Sequence, residues 1–147
     1  MDQSALVTKV DQLRCQGREA NTVEFKANWN HSQDIGEYLP AMANAAILDR
    51  HDEAWMVWGI DDATYQVKGT TFDPFKQKGE GNQSLIMWLT QKTSPKPDFE
   101  FYEVMHPSGR VVLLRIRMPR TAPLAFSGER YIRIDSNKTK LNSHPDK

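Results

Sequence analysis

The chain has 147 residues, which is the usual size of one domain and enough to bury a hydrophobic core. Its composition is 39% hydrophobic and 26% charged, and no apolar run approaches the ~18 residues that a membrane-spanning helix needs, so we expect no membrane partner. The formal net charge is zero, yet residues 1–62 hold five Lys and Arg against eleven Asp and Glu, whereas residues 110–147 hold nine against three.

The first predicted element is a helix within residues 1–18. Asp2 or Ser4 can cap it, and its apolar residues recur on one face, at Leu6, Val10 and Leu13. The only cysteine, Cys15, cannot form an internal disulfide, and no Cys or His spacing is typical of a zinc site. No charged and then apolar leader precedes the helix, so together with the lone cysteine we expect a reducing cytoplasm. The chain length predicts a single domain over residues 1–147, with a frayed tail at 141–147.

A short strand follows the helix. If Val23 and Phe25 point into a core, alternation places Glu24 and Lys26 together on the other face. Glu19 lies just before this strand and can fold back over the same end. Two carboxylates and one ammonium group at one point suit Mg²⁺ or Mn²⁺, with a phosphate held by the lysine. The same spacing also fits a surface strand with an ordinary ion pair.

An amphipathic helix and a buried strand come next. Asp34, with Glu37 three residues later, is a candidate capping box for a helix of more than three turns. Residues 54–60 form a continuous apolar run, too short for a helix, which predicts a central strand covered on both faces. This strand ends at Asp61 and Asp62, which are turn formers and can equally supply the third carboxylate of a metal site.

The rest of the chain is predicted to hold one helix and several strands. Asn82 can cap a helix that stops before Pro95. The patterns further predict a return strand at 65–69, a hairpin of 99–105 with 111–118, a short edge segment at 124–126, a strand at 129–134 and a polar, partly basic loop at 135–140.

Two of these strands carry cations on their outward faces. If the strands face each other, guanidinium groups interleaved with an aromatic ring can hold phosphates and stack a base. The predicted backbone contacts are Arg115, Arg117, Arg133, Lys138 and Lys140, with Tyr131 as the stacking ring. The alternative is an exposed sheet face that its arginines keep soluble.

The order of these features resembles the Schlafen-type AlbA domain, a family regarded as nucleic-acid binding. The matching pieces are Glu19 with Glu24-Phe25-Lys26, then residues 35–44 ending in Ala43-Asn44, then Gly59-Ile60-Asp61-Asp62, and finally residues 131–136. They extend over residues 19–140, nearly the whole chain, in the family's order and spacing. Ala45-Ala46 stand where the family usually has a Gly-Gly pair, so we do not expect the backbone to approach a ligand closely there.

The resemblance implies an α/β (α+β) fold with a mixed, largely antiparallel sheet and helices packed against it. In family members that cleave RNA, the acids that match Glu19 and Glu24, with an aspartate near Asp61 or Asp62, form a metal-dependent site. In bacterial relatives the domain often precedes regulatory or helix-turn-helix modules, so this chain fits the front part of a longer protein.

Three functions follow from these observations. The first is a nucleic-acid-binding regulatory module for DNA or RNA. The second is an endoribonuclease that requires Mg²⁺ or Mn²⁺, whose metal ligands would be Glu19, Glu24 and Asp61 or Asp62, with Lys26 on the scissile phosphate. The third is a protein-interaction or homo-oligomerisation module that uses an exposed sheet edge or Trp55, Trp58 and Trp88, although we expect most of these tryptophans in the core.

Overall fold

A computed structural model of the chain describes residues 1–15, 22–119, 122–134 and 137–140. The helices are α1 (Gln3–Cys15), α2 (Ser32–Asp49) and α3 (Leu85–Lys92). The strands are β1 (Val23–Lys26), β2 (Glu53–Trp58), β3 (Thr93–Ser94), β4 (Phe99–His106), β5 (Gly109–Arg117), β6 (Ala125–Phe126), β7 (Glu129–Ile134) and β8 (Asn137–Lys140). The tail predicted at 141–147 lies outside the described residues.

The strands form two four-stranded sheets. The first has the order β1-β2-β5-β4, in which β1 and β2 run parallel and the other neighbours are antiparallel. The second has the order β3-β6-β7-β8 and is antiparallel throughout. The mixed, largely antiparallel architecture with packed helices is confirmed.

The first sheet is covered on both faces, as the apolar run of β2 predicted. On one face, Val23 and Phe25 of β1 join the apolar side of α1 in a buried cluster with Trp55 and Val57. On the other face, α2 packs on alternate residues of β2 and β5, in a cluster that also reaches α3 and β6. Because successive strand residues point to opposite faces, Glu24 and Lys26 lie on the α2 side.

Helix α1 is fixed to the sheet by polar contacts as well as by its apolar face. The backbone amide of Ala5 donates to the Asp2 carboxylate at 2.8 Å, which confirms one of the two predicted caps. The side-chain amide of Gln3 spans the outer edge of β4, since its nitrogen donates to the Glu103 carbonyl (2.8 Å) and its oxygen accepts from the Met105 amide (2.9 Å). This side chain therefore pairs the edge as a neighbouring strand would.

A partly exposed hydrogen-bonded group joins α1 to the end of β4. Asp11 lies 2.9 Å from the His106 ring and 2.6 Å from the Arg14 guanidinium group. Burial opposes ionisation of Asp11, but the hydrogen bonds from His106 and Arg14 outweigh it and hold the pKa of this carboxyl below its usual value.

Helix α2 lies between the two sheets, with contacts to β2 and to β7. The predicted capping box is wrong, because the helix begins at Ser32, its N-cap is His31, and Asp34 lies inside the first turn. The helix continues through Ala45-Ala46, as expected, and ends where Arg50 adopts a left-handed conformation with φ of 59°. Helix α3 is likewise capped by Ser84, not by Asn82.

The other differences from prediction concern short strands. Residues 65–69 form one isolated bridge, between Ile60 and Val67, instead of a return strand. The segment at 124–126 is an inner strand, because β6 lies between β3 and β7. The predicted loop at 135–140 contains β8. None of the helices in the described part of the chain is both long and apolar enough to cross a bilayer.

Candidate nucleic-acid interface

The strand β1 places its two charged residues against α2 instead of in open solvent. Glu24 is buried, with 3% of its surface exposed. Lys26 is half-buried, and its ammonium group lies 4.8 Å from the ring centroid of Trp29 and 5.1 Å from that of Tyr38. Aromatic faces carry partial negative charge, so these two rings stabilise the ammonium group.

The aspartates predicted as metal ligands lie in the turn after β2. The Asp61 carboxylate accepts hydrogen bonds from the backbone amides of Ala63 and Thr64, at 2.8 and 3.0 Å. The hydrogen bond from Thr64, and then that from Ala63, lower the pKa of Asp61. Asp62 is exposed. The carboxylate of Asp61 thus performs the turn-forming role.

Glu19 lies outside the described residues, so its predicted place beside Glu24 stays a prediction. Within residues 1–15, 22–119, 122–134 and 137–140, no group of three or more His, Cys, Asp or Glu side chains is arranged to hold a metal ion. The described acids alone therefore do not form the predicted three-carboxylate site, which stays a prediction that depends on Glu19.

Arg115 and Arg117 lie at one end of the first sheet, on its α1 side. Arg115 forms an ion pair with Glu53, and its guanidinium group lies 5.7 Å from the Trp55 ring centroid. Burial alone would lower the pKa of Arg115, but hydrogen bonds with Glu53 and Tyr102 raise it. Both arginines line a cleft of about 600 Å³.

Arg117 forms a more exposed ion pair in the same cleft. Its guanidinium group lies 2.8 Å from Asp98, whose side chain is 67% exposed. The cleft is lined by three cations (Lys96, Arg115 and Arg117), three acids (Asp52, Glu53 and Asp98) and an apolar portion of Pro97, Met118, Pro119 and Leu124. Its charges therefore balance.

The cations of β8 lie on the other side of the first sheet, against α2. The Lys138 ammonium group lies 2.8 Å from Glu37, 3.3 Å from Asp34 and 5.4 Å from the Tyr38 ring centroid. Burial alone would lower the pKa of Lys138, but Glu37 first and then Asp34 outweigh burial and raise it.

Tyr131 and Lys140 pair across β7 and β8. Tyr131 packs partly buried against the α2 cluster, and burial together with the charge of Glu37 raises the pKa of its hydroxyl group. Lys140 forms an ion pair with Glu129 at 3.3 Å. Arg133 is opposite Lys138 in the same register, but its side chain lies outside the described part of the structure.

The predicted pair of facing arginine strands is therefore wrong. β5 belongs to the first sheet and β7 to the second. Leu114 and Ile116 of β5 belong to the cluster on the α2 side, so Arg115 and Arg117 point to the α1 side. Tyr131 and Lys138 lie on the α2 side. The candidate cations whose side chains the structure describes are thus divided between two separate surfaces.

The site contains residues that sequence reasoning missed. Trp29 and Tyr38 join Lys26 to Lys138, and we call these residues, with Tyr131, the lysine–aromatic patch. Trp29 lies only three residues after Lys26, the last residue of β1, and this short spacing could have predicted their contact. No sequence pattern predicted the contact of Lys138 with α2, because β8 was not predicted.

The tryptophans proposed for an interaction surface belong to the core. Trp55, Trp58 and Trp88 are 6%, 0% and 3% exposed. They therefore do not form a surface for a partner, and the use of a sheet edge stays a prediction.

Asn44 connects α2 to the second sheet. Its side-chain nitrogen donates to the carbonyl oxygens of Leu124 and Tyr131, at 2.9 and 2.8 Å, and its oxygen accepts from the Leu124 amide at 2.8 Å. All the hydrogen-bonding groups of this buried side chain are used locally, so Asn44 positions Tyr131 against α2 and is not available to a ligand.

Several solved structures are similar to this chain in fold, and two of them come from Corynebacterium diphtheriae and Nitrosomonas europaea. The DIP2311 protein from Corynebacterium diphtheriae matches with a TM-score of 0.53 and 16% identity, covering 93% of this chain and 26% of that one. The N-terminal domain of a RecG-related protein from Nitrosomonas europaea matches with a TM-score of 0.52 and 16% identity, covering 95% of this chain and 92% of that one. No curated protein sequence matches significantly. The model of the family described as Schlafen, AlbA_2 matches residues 19–142, and the chain belongs to this family.

Proposed function

We propose that this chain is a nucleic-acid-binding domain and that it contacts the phosphate backbone through the lysine–aromatic patch. The observation that carries the proposal is the meeting of Lys26 and Lys138 at the Tyr38 ring, at 5.1 and 5.4 Å from its centroid. Two lysines from opposite ends of the chain thus share one partly exposed surface.

The spacing of the two ammonium groups suits a phosphate backbone. Because each lies within 5.4 Å of the same ring centroid, they are no more than about 10.5 Å apart. A nucleic-acid strand in a helix carries one charge per about 3.4 Å of axis, so both lysines can contact phosphates of one short segment.

The ionic surroundings of the two lysines differ. Lys138 is matched by Glu37 and Asp34, so a phosphate must compete with these carboxylates. Among the described residues, the contacts of the Lys26 ammonium group are two aromatic rings, and a ring attracts a cation less strongly than a phosphate does. Lys26 is therefore the residue whose removal is expected to weaken binding most.

The family and one structural relative support the same function. The Nitrosomonas europaea protein, whose N-terminal domain has this fold, carries a name that refers to an ATP-dependent DNA helicase. That name supports nucleic-acid binding by analogy, and the contacts of the patch supply the physical basis.

Fluorescence anisotropy titration with labelled DNA and RNA, single- and double-stranded, tests the proposal. We expect binding at low salt that weakens as salt rises. Lys26→Gln should reduce the slope of log K against log salt by about 0.7 to 0.9, the contribution of one phosphate contact. Lys92→Gln, which removes a lysine from the last turn of α3, is the matched control.

The outcomes separate the alternatives. Absence of binding at low salt, or binding that salt does not affect, would refute nucleic-acid binding. An equal effect of Lys26→Gln and Lys92→Gln would move the contact away from the patch, and Arg117→Gln then tests the cleft. Incubation of structured RNA with Mn²⁺, beside Glu24→Gln, tests the endoribonuclease hypothesis, which also depends on Glu19.

A further inference from the structure

We propose that the ligand is single-stranded and that Trp29 stacks on one of its bases. The inference rests on the proposed function, because it assigns a ligand class to the same patch. Trp29 lies beside Lys26, packs against the core and is only partly buried.

The loop that carries Trp29 is held in place before any ligand arrives. The Asn28 side-chain oxygen accepts from the hydroxyl group of Thr70 at 2.7 Å and from the backbone amide of Thr71 at 2.9 Å. The Gln77 side chain donates to the Asn30 carbonyl at 3.1 Å. Because the residues on both sides of Trp29 are anchored, the cost of ordering this loop on binding is reduced.

The aromatic neighbours of Trp29 fix the orientation of its ring. Tyr38 contacts it edge-on, with ring centroids 5.9 Å apart and an interplanar angle of 85°. The exposed His31 lies 5.9 Å away at 60°. A base that stacks on Trp29 would thus meet a second ring, that of His31, at the rim.

The helices in the described part of the structure are poorly suited to a duplex groove. α2 is packed between the two sheets, and its length is mostly buried. α3 has eight residues, with Lys92 in its last turn. On α1, Lys9 lies over Trp55 and Arg14 is paired with Asp11. None of these helices presents the row of available basic residues that groove binding uses.

Single strands and duplexes differ in the feature that the patch can recognise. A duplex hides the faces of its bases in the stack, whereas an unpaired base can place its face on an aromatic side chain. Cations interleaved with exposed rings are the common arrangement of proteins that bind single strands without sequence preference.

Titration of an unstructured single strand and of the duplex of the same sequence, at one low salt concentration, tests this inference. We expect tighter binding of the single strand by the wild type. Trp29→Leu should weaken single-strand binding roughly ten- to hundredfold and leave duplex binding nearly unchanged, while Trp29→Phe, which keeps a ring, should retain most of the affinity.

Intrinsic fluorescence gives a second measurement that needs no destabilising variant. Of the four tryptophans, Trp55, Trp58 and Trp88 are buried, so quenching of the emission by a stacked base reports on Trp29. We expect oligothymidylate to quench the wild type and to leave Trp29→Phe unquenched.

Each outcome decides one question. Equal losses for single strand and duplex in Trp29→Leu, or no quenching when the single strand is bound, would overturn the stacking inference while the binding proposal stands. Absence of binding to every nucleic acid would instead remove the proposed function itself.

Discussion

Replacement of Asn44 by leucine should destabilise the protein by about 3 kcal/mol. Leucine has the same branched skeleton of four side-chain heavy atoms as asparagine and bulkier methyl groups, so no cavity forms, but three hydrogen bonds to the backbone of Leu124 and Tyr131 are lost. Each buried polar group left unpaired costs about 1 to 3 kcal/mol, and the apolar side chain recovers part of the total.

The expected shift in melting temperature follows from the size of the chain. An unfolding entropy of about 2.1 cal/mol/K per residue gives about 0.3 kcal/mol/K for this length, so 3 kcal/mol lowers Tm by about 10 °C. Urea and thermal unfolding, followed by circular dichroism, measure the change. The shift should accompany weaker nucleic-acid binding, because Asn44 positions Tyr131 in the patch.

Thr93→Val provides a matched control in the same region. The Thr93 side chain is buried, and its hydroxyl group has no hydrogen-bond partner among the described residues. Valine has almost the same shape, so the replacement removes an unpaired buried hydroxyl group and should be neutral or stabilising. If Asn44→Leu costs no more than Thr93→Val, the account of Asn44 as a buried connection is wrong.

Three further predictions concern pH, packing and charge. The pKa of Asp11 is lowered, so its carboxylate stabilises the folded state above the ordinary pKa of 3.8, and this stabilisation is lost as pH falls through the lowered pKa. Unfolding titrations of the wild type and Asp11→Asn should therefore show a difference in stability near neutral pH that shrinks in acid. Gly36→Ala should destabilise by roughly 1 to 3 kcal/mol in urea, since a Cβ there overlaps the Phe126 ring, and Phe126→Leu should recover part of the loss. Glu37→Gln leaves Lys138 less neutralised, so anisotropy titrations should show tighter binding with a steeper salt dependence; an unchanged slope would exclude Lys138 as a phosphate contact.

The elements predicted well from sequence are those whose pattern is local. Alternation in β1, the continuous apolar run of β2 and the 3.6-residue period of α2 each reflect burial of a face that the neighbouring residues already define. The hairpin of β4 and β5 was equally predictable from the sequence, because a Pro-Ser-Gly turn joins two strands of similar length.

The candidate site was less predictable, because its contacts join distant parts of the chain. The opposite charges of the two ends do meet, but mostly as ion pairs, of Lys138 with Asp34 and Glu37 and of Arg115 with Glu53. A sequence read strand by strand cannot tell a cation that is matched by an acid from one that is available. The shared metal site and the homo-oligomer stay predictions.

The side chain of Gln3 has a consequence for any shortened form of the protein. The family match begins at residue 19, after α1, so a protein cut at that boundary would lose both Gln3 and the apolar face of the helix. The Glu103 carbonyl and the Met105 amide would then be left as open bonding positions beside newly uncovered apolar surface. An edge of that kind recruits strands from other copies, so the shortened protein should self-associate. The sequence family and the folding unit therefore begin at different residues.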